Sequence, residues 1–139
     1  MTEENRSLAA ALIIMAALIA YMFMVPFPHA FGHDRDTSHD GWYMSLKMPD
    51  QPNSSCCGIA DAYWCDDISV EKGKTFCKIT DDQDIPQRPK LPMGTKIEIP
   101  DYKLKWEQDG KPIGNPTGHS IVFLSSGGLV YCFVQSTGI

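Results

Sequence analysis

The stretch "HSIVFLSSGGLVYCFV", residues 119–134, decides the fold class. Two short runs rich in β-branched and aromatic residues flank "SSGG" at 125–128, whose small residues suit a chain reversal, so the whole reads as a β-hairpin. A four-residue loop sets Leu124 opposite Leu129, Phe123 opposite Val130 and Ile121 opposite Cys132. Alternation with period two then puts Ile121, Phe123, Val130, Cys132 and Val134 on one face, and Cys132 is expected to point into a core.

The segments upstream follow the same logic. "DISV" (67–70) and "TFCKI" (75–79) surround "EKGK", with Gly73 in the turn. "TKIEI" (95–99) and "YKLKW" (102–106) alternate apolar and charged residues around Pro100 and Asp101, which predicts half-buried strands. Residues 81–94, with three prolines, and 107–118, rich in turn formers, read as loops. "WYMSLKM" (42–48) has helical apolar spacing at Trp42, Tyr43 and Leu46 before Pro49, Pro52 and Asn53 break the chain. The expectation for 42–139 is a mainly β domain, a small antiparallel barrel or sandwich with short helical segments.

The start of the 139-residue chain is different in kind. After a leader at 1–7, "LAAALIIMAALIAYMFMV" (8–25) carries no charge and no proline and stops at Pro26. As a helix such a run reaches roughly 27 Å, enough for the hydrocarbon layer, and predicts a transmembrane anchor or a signal helix. The run exceeds a typical signal core of about 7–15 residues and "MTEENRS" is not basic, which favours retention. "AFG" at 30–32 offers small residues for cleavage before His33, which keeps a secreted or periplasmic form open. Residues 26–41 read as a polar tether. Ala9, Ala16 and Ala20 share one helical face that would let a partner helix approach.

Setting aside Arg6, Glu3 and Glu4, eleven Lys or Arg face fifteen Asp or Glu, an acidic balance that argues against nucleic acid as a partner.

Five cysteines remain to be placed: Cys56, Cys57, Cys65, Cys77 and Cys132. A bridge between Cys56 and Cys57 would strain the planar peptide that joins them. Neighbours in an extended segment point to opposite sides, so each seeks a different partner. Cys132 suits one of the two, and Cys65 and Cys77, flanking the first hairpin, suit each other. One of Cys56 and Cys57 is then left over, or pairs between chains. Such bridges belong to an oxidising compartment. Structural zinc is disfavoured, because no two cysteine pairs show the usual two-to-four-residue spacing.

Three further sets of residues carry chemistry. Cys57 precedes "GIADAYW", readable as a short helix, and His119 opens a strand, an arrangement similar to that of papain-like cell-wall cysteine hydrolases. Against it, Asp66 and Asp67 would break the helix, a neighbouring thiol would compromise the nucleophile, and no third residue to orient His119 is evident. His29, His33 and His39, with Asp36, form a weak candidate set for a borderline metal in the tether, although polar tethers collect such residues without binding. No cofactor is expected. Tyr63 and Trp64 in "DAYW", with the 81–94 loop, are the expected contact residues.

The order of "GWYMSL" (41–46), "CCGIAD" (56–61), "IPD" (99–101), "NPTG" (115–118) and "VYCFV" (130–134) resembles a group of functionally uncharacterised small exported alphaproteobacterial proteins with a CC-x3-D motif and a C-terminal Cys-Phe strand. The resemblance covers roughly residues 39–134 and implies export and fold type, but no reaction. By it Cys56, Cys57 and Cys132 belong to the shared frame, and Cys65 and Cys77 are additions. The expectation is therefore a binding or accessory domain, held to the inner membrane and facing the periplasm. The alternatives are a cysteine hydrolase using Cys57 and His119, and an accessory subunit of a membrane protein complex.

Overall fold

The computed structural model describes residues 13–21 and 34–137. Residues 13–21 are helical with exposed apolar side chains. Among the described residues no helix is long and apolar enough to cross a membrane. The expected leader, half of the 8–25 span and half of the 26–41 tether lie outside those residues.

From residue 34 onward the chain is mainly β, in three small antiparallel sheets. The first has the order β1–β7–β8, with β1 at Ala60–Trp64, β7 at Ile121–Ser125 and β8 at Val130–Val134. The second runs β2–β3–β4, at Asp67–Glu71, Lys74–Lys78 and Lys96–Ile99. The third is a two-stranded pair, β5 (Glu107–Gln108) and β6 (Lys111–Pro112). A six-residue helix α1, Asp40–Ser45, and two single 3-10 turns complete the elements. No sheet closes on itself, so the barrel expectation gives way to separate sheets.

The "IVFL" run of β7 is buried residue after residue because its sheet is covered on both faces. On one side Ile121, Phe123, Cys132 and Val134, with Ala60 and Ala62, pack on Tyr43, Leu46 and Met48 from α1 and the segment after it. On the other, Val122, Leu124 and Phe133, with Tyr63 and Cys65, meet Ile68, Cys77, Ile97 and Ile99 of the second sheet. The two cores therefore lie on opposite faces of β7.

The register of the final hairpin differs from the sequence expectation. Ile121 pairs with Val134 and Phe123 with Cys132, but Leu124 pairs with Val130, so Tyr131 is an extra residue in β8. This bulge turns Val130 away from Cys132 and onto the second core, whereas strict alternation had placed both on one face.

"YKLKW" departs further. Pro100 precedes a 3-10 turn at Asp101–Lys103, and Leu104 makes only an isolated parallel bridge to Phe133. The alternation holds only at Leu104, which packs on the second core, whereas Lys103 and Lys105 are buried and Tyr102 and Trp106 are exposed. Lys103 can turn inward because it meets a carboxylate there, Asp50, at 2.7 Å. "DAYW" is strand β1 rather than helix. Within the expected 107–118 loop, Asp109 and Gly110 both take positive φ, 53° and 72°, and close the β5–β6 hairpin. The fixed structure also begins before residue 42: Arg35 donates to Gln83 and to the Asp84 carbonyl at 3.0 and 3.2 Å.

Two disulfides form, Cys56–Cys132 and Cys65–Cys77. Cys57 keeps its thiol and is buried. The adjacent cysteines sit in a turn, not in extended chain, so both side chains enter the same core instead of opposite sides.

Candidate functional site

Residues 46–57 fold back as an irregular hairpin. Lys47 bridges Ser55, Met48 N donates to the Ser54 carbonyl at 2.9 Å, and Cys56 N donates to the Leu46 carbonyl at 3.0 Å. The Cys56–Cys132 bridge ties this hairpin to β8. Facing it, the turn at Asp101–Lys103 is anchored by Lys103, whose Nζ reaches both Asp50 oxygens at 2.8 and 2.7 Å. Between the two, at the start of β8, lies a groove of about 560 Å³.

Three large apolar side chains stand open around that groove: Ile59 at 79% exposure, Tyr102 at 63% and Leu129 at 67%. Single exposed apolar residues need no explanation, but a group of them at one concavity marks a contact surface. Strand β8 is also an outer strand. Its outer side is paired at Phe133, by the Leu104 bridge and by Lys105 N donating at 2.9 Å to the Phe133 carbonyl. Val130 and Tyr131, further along, border the groove. An outer strand beside apolar pockets suits an added extended segment.

The expected contact aromatics lie elsewhere. Tyr63 is buried, donates its hydroxyl to the Pro89 carbonyl at 2.7 Å and carries the Arg88 guanidinium 4.6 Å above its ring. Trp64 is half-buried and stacks on His119 at 3.8 Å between centroids and 8° between planes. The 81–94 loop is fastened inward over β1 by Arg88, which reaches the Ala62 carbonyl and Asp81.

The catalytic alternative gains an orienting group and loses its nucleophile. Asp66 accepts from Ser120 N at 2.7 Å with one oxygen and sits 2.8 Å from His119 Nδ1 with the other, the partner that the sequence did not disclose. Cys57, however, enters the core before β1 begins, while His119 stacks at its last residue. Burial, helped by the negative charges of Asp61 and Asp40, pushes the Cys57 thiol up to about 12. A protonated, buried thiol is a poor nucleophile.

An alkaline limit on stability follows. The unfolded Cys57 thiol releases its proton near 9 and the folded one near 12, so the folded state binds more protons between those values. Stability is fully present below about pH 9 and falls as pH rises toward 12. Tyr63, raised by burial to about 12, acts in the same direction. Urea midpoints at about pH 8 and about pH 10.5 check this, with a shallower fall expected in Cys57→Ala.

Of the candidate metal residues, His29 and His33 lie outside the described residues. Asp36 is engaged in capping, accepting from Ser38 N at 2.9 Å ahead of the turn that contains His39. Among the described residues no three His, Cys, Asp or Glu side chains converge as a metal site. No protein-family model matches the chain, and neither a curated protein nor a solved structure matches it.

Proposed function

We propose that the chain is a membrane-tethered, extracytoplasmic binding domain that engages a protein partner through the groove at β8. The observation that carries this is the convergence of exposed Ile59, Tyr102 and Leu129 on one concavity beside an outer strand. Two disulfides in a small domain support an oxidising compartment. The uncharged run 8–25, with residues 13–21 helical and exposing Ile13, Ile14, Leu18 and Ile19, supports an anchor. The likeness to small exported alphaproteobacterial proteins fits the same location. We read the two larger sheets, facing each other across the second core, as a small sandwich.

An accessory role in a membrane protein complex is compatible with this, because Ala16 and Ala20 lie on the same exposed helix. The buried, protonated Cys57 thiol argues against a hydrolase built on Cys57 and His119.

Site-specific photocrosslinking in intact membranes tests the proposal. A photoreactive residue at position 102 or 129 is expected to give one discrete protein adduct, abolished by Ile59→Asp. The same probe at Val70, exposed on the second sheet, is expected to give none. Equal adducts from positions 70 and 102, or no adduct from 102 and 129, would reject the groove as the contact surface.

A further inference from the structure

A buried ammonium is costly unless a counter-ion or a full set of acceptors meets it. Two of the buried cations obey this: Arg88 carries Asp81 and Lys103 carries Asp50, each at 2.7 Å. Lys105 departs from it. The residue is only 6% exposed, yet its Nζ donates to a single described acceptor, the Glu107 carbonyl, at 3.3 Å. No carboxylate closes on it as an ion pair among the described residues. An ammonium has three donor positions, and among the described residues the Glu107 carbonyl takes one of them. Desolvation accordingly holds Lys105 below the ordinary lysine range, against the opposing charge of Asp109.

Space for a counter-ion lies beside it. Lys105 and Trp106 together line a hollow of about 410 Å³ and a smaller one of about 190 Å³. The larger is within the range of small-molecule sites, roughly 300–1,000 Å³. Trp106 is exposed, and Pro49, Pro52 and Leu104 add apolar wall. The charged side chains around the larger hollow balance, Lys47 and Lys105 against Glu107 and Asp109.

We propose that Lys105 and Trp106 form a binding site for a small organic carboxylate with a flat apolar body. The carboxylate accepts from Nζ, and the body lies against the indole and the proline wall. The site is a separate hollow from the β8 groove and shares Met48 of its wall.

Benzoate titrated into the full-length protein in detergent micelles tests this, followed by the indole N–H resonance of Trp106, with inorganic phosphate as the comparison anion. Benzoate is expected to give a saturable shift and phosphate none. In Lys105→Met, which keeps the apolar stem, benzoate affinity is expected to fall at least about tenfold. An unsaturable benzoate shift, tighter binding of phosphate, or unchanged affinity in Lys105→Met overturns the proposal. If Lys105→Met does not fold, Trp106→Ala at an exposed position serves instead. Calorimetry is then expected to show benzoate bound several-fold more weakly, and unchanged affinity overturns the site.

Discussion

Arg88→Met is expected to lower the stability of the domain by about 3–5 kcal/mol, the usual cost of removing one partner from a buried ion pair. Arg88 and Asp81 are 3% and 0% exposed in their side chains, so water cannot rescue the carboxylate left behind. The guanidinium also serves two carbonyls, Ala62 at 2.6 Å and Gln83 at 2.8 Å, which would lose their donor. Asp81 in turn accepts from the Trp64 and Gln83 amides at 3.2 and 2.9 Å. With Thr80 N donating to the Trp64 carbonyl at 3.0 Å, these side chains stand where a neighbouring strand would pair with the outer side of β1. The loss should therefore appear first as faster amide exchange at Trp64, and then as a lower urea midpoint. Lys78→Met, which breaks the exposed Lys78–Asp67 pair, is the control and is expected to cost within about 1 kcal/mol. Equal midpoints for the two variants would show that the buried network does not hold the loop.

The same network explains why the 81–94 segment was legible only as a loop. Its three prolines exclude a regular ladder, and that much is local information. That Arg88 folds inward depends on Asp81, Ala62 and Tyr63 arriving together, which no spacing encodes. The β-hairpins were legible because turn residues and alternation agree there: Lys72 and Gly73 both take positive φ and join Glu71 to Lys74 as the turn chemistry requires. The bulge at Tyr131 was not, because one extra residue leaves the composition of the strand unchanged while shifting its faces.

The candidate site was less legible than the fold. "YKLKW" read as a half-buried strand, but tertiary partners break the alternation by giving Lys103 a carboxylate and leaving Tyr102 at the groove. Ile59 and Leu129 lie outside the regular strands, where apolar residues have no periodicity to mark them as exposed. His119 and Asp66, 53 positions apart, meet only because β1 and β7 pair. The disulfides were more readable, since five cysteines and one buried hairpin face leave few geometries. The choice of Cys56 over Cys57 was not, because it turns on whether the pair is extended or bent.

Removing the Cys56–Cys132 bridge with the double variant Cys56→Ala/Cys132→Ala is expected to cost about 4–5 kcal/mol, whereas Cys65→Ala/Cys77→Ala should cost about 3. The difference follows from sequence separation, 76 residues against 12, since closing the longer loop removes more entropy from the unfolded chain. Alanine is the proper replacement because these positions are fully buried and a serine hydroxyl would add its own penalty. The two bridges should also differ locally. Cys56 fastens the 46–57 hairpin, one wall of the groove, to β8, while Cys65–Cys77 joins β3 to the chain just after β1. Loss of the first bridge should weaken photocrosslinking from position 102 at temperatures where the domain still unfolds cooperatively. Loss of the second should leave the adduct intact until global unfolding. Equal adduct yields from the two variants, compared at the same margin below their own melting temperatures, would mean that the bridge stabilises the fold without shaping the groove.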